Sequence, residues 1–314
     1  MKKIKGFGLI LSVIVLIFLF PMGALAATQP TSIENQGLIK QSATRILVSN
    51  ESVNSDQDES SGSFSLSNDQ YTLSKKLNKS SYQLDYVKPF DPEKNRDNLL
   101  KNRMMQRSVR FAEKAGDSRD FWVSNLETGN YNQINATLAY SGTHANIWVN
   151  NDQISSDDAK KLGEQFDSSI YSSDVNTFGT PSDVDGNGKI NIVCYDIQDG
   201  FDGNGGYVAG YFDPNDLTDG TDSNHSDILY IDTYPAMGTG SIKDVTEAYP
   251  TLAHEFQHLI NFNQNVLVEK QNAMDTWMDE GLAMAAEQVY TQVPLEDEID
   301  YYNADSAIND GQSL

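Results

Sequence analysis

One cysteine and four histidines stand in 314 residues. A lone Cys194 allows no intramolecular disulfide, which excludes a small cross-linked extracellular scaffold. It lies in Ile190-Asn-Ile-Val-Cys-Tyr195, a strand-like run, and reads as a packing residue rather than a reactive thiol. Basic residues are also scarce: 22 Lys and Arg face 45 Asp and Glu, for a formal charge of −23. No basic stripe offsets that excess, so nucleic acid and anionic membranes are not expected partners. Long apolar runs are missing with one exception, Leu9 to Phe20.

That exception reads as a targeting segment. Lys2, Lys3 and Lys5 precede it, and Pro21 and the small-residue site Ala24-Leu25-Ala26 follow. The run is short for a membrane span, and the site favours cleavage, so residues 1–26 are expected to be a signal peptide. The mature chain would then be a secreted, extracellular bacterial protein that leaves the membrane. It would carry 19 basic against 45 acidic residues, about −26 in charge. Residues 27–119 read as a pro-region with a flexible linker, because Ser49 to Asp69 is rich in Ser, Asn, Asp and Glu. Leu99 to Ala115 has helical character, with Lys101, Arg103, Arg107, Arg110 and Lys114 on a basic face. A solvated helix face is favoured there over a processing site near Arg107 to Arg119.

Residues 120–314 read as globular. Strands are expected at Ile134–Ala139, His144–Val149, Lys189–Ile197, Gly206–Phe212 and Ile228–Thr233, with a helix over Ser155–Tyr171. A further helix, about 247–264, carries the most informative run of the chain, His254-Glu255-Phe-Gln-His258. Residues four apart share one helix face, so both imidazoles reach one metal ion. Glu255 reaches a water on that ion without having to ligate it. The pattern is that of a hydrolytic zinc centre.

A third ligand lies downstream in Trp277-Met-Asp-Glu280-Gly-Leu-Ala283. Glu280 follows His258 after 21 residues, room for a loop and a second helix start. Asp279 competes for the same role, but Glu280 has the better context. Glu287, two turns on, shares its face and is placed to orient a ligand histidine. Asn261 and Gln264 stand where a metzincin needs Gly and His. A glutamate ligand in this context is instead the gluzincin arrangement, one catalytic zinc with an open position.

These two stretches, Thr251 to Asn261 and Trp277 to Glu287, resemble the hyicolysin-like secreted bacterial zinc metalloproteinases. The likeness extends through Phe121-Trp-Val123, His144 to Val149, Asp183 to Lys189 and Gly205 to Phe212, hence over about residues 120–314. It implies endopeptidase activity on proteins or peptides, His254, His258 and Glu280 as zinc ligands, and Glu255 as base. Cys194 lies outside the pro-region, so no propeptide cysteine caps the zinc.

The expected fold is α+β: a zincin (thermolysin-like) lobe with a mixed twisted sheet, a backing helix and an active-site helix. The carboxy-terminal lobe is largely absent from the chain, which is expected to be truncated there. In this plan Tyr207, Val208, Ala209 and Gly210 lie on the edge strand that pairs with an extended substrate. Asp183-Val-Asp185-Gly-Asn187-Gly188 resembles the start of an EF-hand loop, but Cys194 stands where the bidentate Glu belongs. Asp183, Asp185 and Asn187 are therefore candidate ligands of a structural calcium in a different loop type, and a polar turn is the alternative. Asp213, Asp216, Asp219 and Asp222 are candidates to complete it or to form another site. Candidate oxyanion donors are His225, Tyr290, Tyr301 and Tyr302. In the mechanism, Glu255 activates a zinc-bound water; the rival is a non-catalytic zincin-fold binding module with structural zinc.

Overall fold

Alternation of apolar side chains along the strands builds a sheet with two buried faces. A computed structural model describes residues 81–91, 94–95, 113–296 and 298–299. The expected signal peptide, the expected linker over Ser49–Asp69, most of the expected helix over Leu99–Ala115, and Tyr301 and Tyr302 lie outside the described residues. No helix among the described residues is long and apolar enough to cross a membrane.

Eight strands are described: β1 (Ser81–Leu84), β2 (Ser118–Ser124), β3 (Tyr131–Ser141), β4 (Ala145–Asn150), β5 (Ile190–Tyr195), β6 (Gly205–Val208), β7 (Gly210–Phe212) and β8 (Ile228–Asp232). Six form one mixed sheet in the order β2-β3-β4-β5-β8-β7. Its centre, β4-β5-β8, is parallel, and every residue of those strands is buried. Central parallel strands need cover on both faces, hence these near-continuous apolar runs. Ile147, Ile192, Cys194, Leu229 and Ile231 point into one core, while Trp148, Val193, Tyr195 and Tyr230 point into the other. A slip of one residue in register would exchange the two sets.

The first core lies under the helices. Helix α1 (Ser156–Gln165) is capped by Ser155, whose hydroxyl accepts from the Asp158 amide at 3.1 Å. A π turn over Phe166–Ile170 joins it to α2 (Tyr171–Phe178), so the helical stretch outruns the expected Ser155–Tyr171 by seven residues. It stops at Gly179, whose φ of 113° favours glycine. Helix α3 (Tyr249–Phe262) starts with Pro250 in its first turn, where no internal N–H bond is lost. All its residues from Thr251 to Phe262 are buried. Helix α4 (Thr276–Thr291) packs against α3 through Ala283 and Ala286, small enough to bring the two backbones close.

Strands β2 and β6–β7 also depart from the sequence expectation. Strand β2 begins at Ser118, two residues ahead of the expected globular boundary, and pairs along its length with β3. The expected strand Gly206–Phe212 is broken at Ala209. Its second half, β7, stays in the sheet antiparallel to β8, whereas its first half, β6, pairs in parallel with β1. The side chain of Asp199 accepts from the Val208 amide at 2.7 Å and pulls β6 away from the sheet. The Ala209 carbonyl still accepts from the Asp232 amide at 2.8 Å.

Candidate metal centre

The helical period puts His254 and His258 on one face of α3, and α4 brings Glu280 opposite them. Glu280 Oε2 lies 3.2 Å from His254 Nε2 and 3.8 Å from His258 Nε2. One donor atom from each of the three lies within 4.8 Å of the others. Donors tetrahedrally disposed at zinc–ligand bond lengths stand about 3.3 Å apart, so the spacing suits that ion. A second observation supports the fit. His258 Nε2, Glu280 Oε2 and Glu255 Oε2 are buried polar atoms with no hydrogen-bond partner, a costly arrangement unless something occupies the space between them.

Carboxylates stand beside both outer ring nitrogens. Glu287 Oε1 is hydrogen-bonded to His254 Nδ1 at 2.6 Å, which sets that ring's tautomer and aims its other nitrogen inward. Asp279 Oδ1 lies 3.2 Å from His258 Nδ1 as an ion-pair neighbour, without a hydrogen bond to it, and accepts from Asn261 Nδ2. Asp279, which competes with Glu280 as a ligand in the sequence, thus sits beside the outer nitrogen of His258, outside the trio. Adjacent helical residues point about 100° apart, so a shared sequence context gives the two acids different places.

Glu255 is 3% exposed, and burial pushes its carboxyl up to about 7, offset in part by His254 and His258. Burial works against charge on His254, but the neighbouring carboxylates of Glu280 and Glu287 outweigh it and hold its pKa well above the usual imidazole value. A pocket with this excess of carboxylates favours a cation. Gly210 lets β7 approach the base: a Cβ there would come within 2.9 Å of the Tyr230 carbonyl oxygen and 3.1 Å of Glu255 Cγ. Of the four residues expected on the substrate edge, Tyr207 and Val208 lie in β6, Ala209 at the break and Gly210 in β7.

In the second candidate site, Asp183 and Asp185 are joined by Asp227, with donor atoms within 4.8 Å. Asp227 stands just ahead of β8; Val184 donates its amide to it at 2.7 Å, and Ser182 donates its hydroxyl. Burial pushes Asp227 up to about 7. The third expected ligand, Asn187, turns its Oδ1 to the Lys189 amide at 2.7 Å and donates from Nδ2 to Asp185 at 3.0 Å. Ser226 donates to Asp185 at 2.5 Å and accepts from Asn191 at 2.8 Å, tying the loop to β5. Asp213 pairs with Lys88, Asp216 binds Asn224 and Tyr230, and Asp219 lies 3.8 Å from His225. Asp227 has no sequence signal linking it to the loop; only the pairing of β5 with β8 brings it there.

Among the oxyanion candidates, His225 turns Nδ1 to the Thr218 carbonyl at 2.9 Å, and the Tyr290 hydroxyl accepts from Gln165 at 2.8 Å. Both are engaged in their own loop or helix contacts.

No protein-family model matches the chain. It is similar to the neutral metalloprotease ShpI of Staphylococcus hyicus, 40% identical over 274 residues that cover 85% of this chain and 62% of that protein. The chain therefore spans about three fifths of that relative's length.

Proposed function

We propose that this chain is the zinc-binding part of a secreted bacterial metalloendopeptidase of the hyicolysin-like, gluzincin type, on a thermolysin-like zincin lobe. The observation that carries the reading is the trio His254, His258 and Glu280 with the buried, unpaired Glu255 oxygen beside it. The similarity to a neutral metalloprotease supports the same chemistry.

His254, His258 and Glu280 would hold the ion, with Glu287 fixing the ring of His254. When bound, zinc would supply a Lewis acid that polarises a peptide carbonyl and lowers the pKa of a water towards neutrality. Glu255 takes the proton of the attacking water and delivers it to the leaving amine. Its carboxyl, pushed up to about 7 by burial, moves down when a cation adds positive charge. It is then ionised and ready to accept. The edge at Tyr207, Val208, Ala209 and Gly210 aligns an extended peptide by backbone hydrogen bonds. Residues 1–26 direct export, and proteins or peptides are the substrates.

Asp183, Asp185 and Asp227 form the structural calcium site of this reading, with oxygen donors suited to a hard cation. Calorimetric titration of calcium should lose its binding isotherm in Asp227→Ala and Asp185→Ala. Unchanged binding in both would leave the loop a polar turn.

Metal content and casein hydrolysis, measured on wild type and Glu255→Gln in parallel, test the main reading. One zinc in each is expected, with turnover in the variant reduced by at least about 100-fold. Zinc in both with activity in neither would favour a non-catalytic zincin-fold module.

A further inference from the structure

Strands β4 and β5 run parallel, side by side, and end level at Asn150 and Tyr195. Beyond those ends the chain leaves in opposite directions. After β4 it turns to the helical core, where Ile154 packs, and after β5 to the other core, where Ile197 packs near Leu126. Parallel neighbours that part in this way open a crevice outside their carboxyl ends, the usual place for a ligand in such a sheet. The crevice here is a cavity of about 680 Å³, a size that suits a small-molecule site. None of the residues lining it belongs to α3 or α4, so it is separate from the metal centre.

Seven of the lining side chains are carboxamides, three are carboxylates and none is basic, which disfavours an anion and suits a neutral ligand rich in donors and acceptors. Two of the carboxamides are fixed by their oxygens. Asn125 Oδ1 accepts from the Thr128 amide at 2.8 Å, so its Nδ2 is the group that donates to Gln198 Oε1 at 2.7 Å. Asn132 Nδ2 donates to the same oxygen at 2.9 Å. Gln153 Oε1 accepts from the Thr233 hydroxyl at 2.8 Å. Both glutamines keep an Nε2 with no protein partner among the described residues. Glu127 and Asp196 bring acceptor oxygens to the same cavity.

Phe201 adds an apolar ring, steadied by Tyr207 at 5.7 Å and Tyr234 at 6.0 Å. A sugar matches this set, because each hydroxyl both donates and accepts while the C–H bonds of one ring face cover an aromatic side chain. A cation matches it less well. Asp199 commits its two oxygens to the Phe201 and Val208 amides at 2.9 and 2.7 Å, and among the described residues the three carboxylates form no converging donor group.

We propose that this cavity is a saccharide-binding site. Gln198 and Gln153 donate to the hydroxyls of a neutral sugar, Asp196 accepts from them, and Phe201 stacks on a ring face. The site lies beyond the metallopeptidase reading and does not depend on it.

Calorimetric titration of the full chain carrying Glu255→Gln, to suppress self-digestion, tests the site. The probes are cellotriose and chitotriose, one without and one with acetamido groups. Saturable binding of at least one is expected at concentrations up to about 10 mM. Gln198→Glu keeps the oxygen that Asn125 and Asn132 use but removes the donor, and Gln153→Glu does the same beside Thr233. Each should weaken binding about tenfold at an unchanged melting temperature. Phe201→Leu, which keeps an apolar side chain but loses the flat ring, should weaken it as well. No saturation by either trisaccharide, or binding that all three substitutions leave unchanged, would overturn the proposal. Equally tight binding of a blocked tetra-alanine peptide, weakened by the same substitutions, would overturn it in favour of a peptide subsite.

Discussion

Glu287 never touches the ion in the proposed site, yet it holds the far nitrogen of a ligand ring. Loss of such a partner typically costs 10–100-fold in metal affinity, so Glu287→Ala should weaken zinc binding by about that factor. Competition against a chromophoric chelator reads it directly, and Glu287→Gln, which retains an acceptor oxygen, should recover part of the loss. An unchanged affinity in Glu287→Ala would remove it from the site. Asp174 on α2 shows the opposite situation. It is fully buried, and neither of its oxygens has a hydrogen-bond partner. Burial pushes its carboxyl from 3.8 up to about 8. Between those values the folded chain binds a proton that the unfolded chain has released. Its contribution is fully present below about pH 4 and lost as pH rises through about 8. Asp174→Asn cannot ionise, so its stability should gain on wild type with rising pH, by up to about 1.4 kcal/mol per unit in that window. Urea midpoints at pH 5, 7 and 9 check this; parallel pH profiles for the two proteins would contradict it.

Helix α3 and strand β7 set the base by direct backbone packing. Gly210→Ala drives a methyl group against the Tyr230 carbonyl, Thr251 and Glu255 together. Overpacking of this kind costs about 1–3 kcal/mol, so a lowered melting temperature is expected along with a loss of turnover out of proportion to it. A variant with wild-type melting and turnover would show that β7 can give way. The α3 histidines were legible because a helix repeats locally: four residues decide the shared face, whatever surrounds them. Glu280 was legible for the same reason, since its run continues into a helix of its own. The break at Ala209 was not, because it depends on Asp199 reaching back to the Val208 amide. Strands β1 and β2 also escaped the sequence reading. Ser81–Leu84 is mostly exposed and too short for the alternation of Tyr82 and Leu84 to reveal it, while β2 owes its place to pairing with β3.

At the scale of the whole molecule, a strongly acidic chain without disulfides concentrates carboxylates at two sites. Each site repels itself until a cation enters, so binding free energy becomes folding free energy. Removing metal with a chelator should therefore lower the melting temperature. Restoring zinc and calcium separately should each recover part of the loss. The zinc-dependent part should survive in Glu255→Gln and disappear in His258→Ala. A melting temperature indifferent to chelation would mean that neither site contributes to stability.

Taken by itself, the sequence determined the α+β class, the helix that carries His254 and His258, and that Glu280 rather than its neighbour Asp279 approaches the two histidines. Each of these follows from contacts within a few residues, or from one apolar period repeated along an element. Tertiary structure alone decided that Asp279 faces the outer nitrogen of His258, that Asp227 joins Asp183 and Asp185, and that Tyr86 to Phe90 lines a cavity with His258. Those placements join residues that are distant in the chain or carried on different elements. No local period encodes them, and only the pairing of strands and the packing of α4 on α3 bring them together.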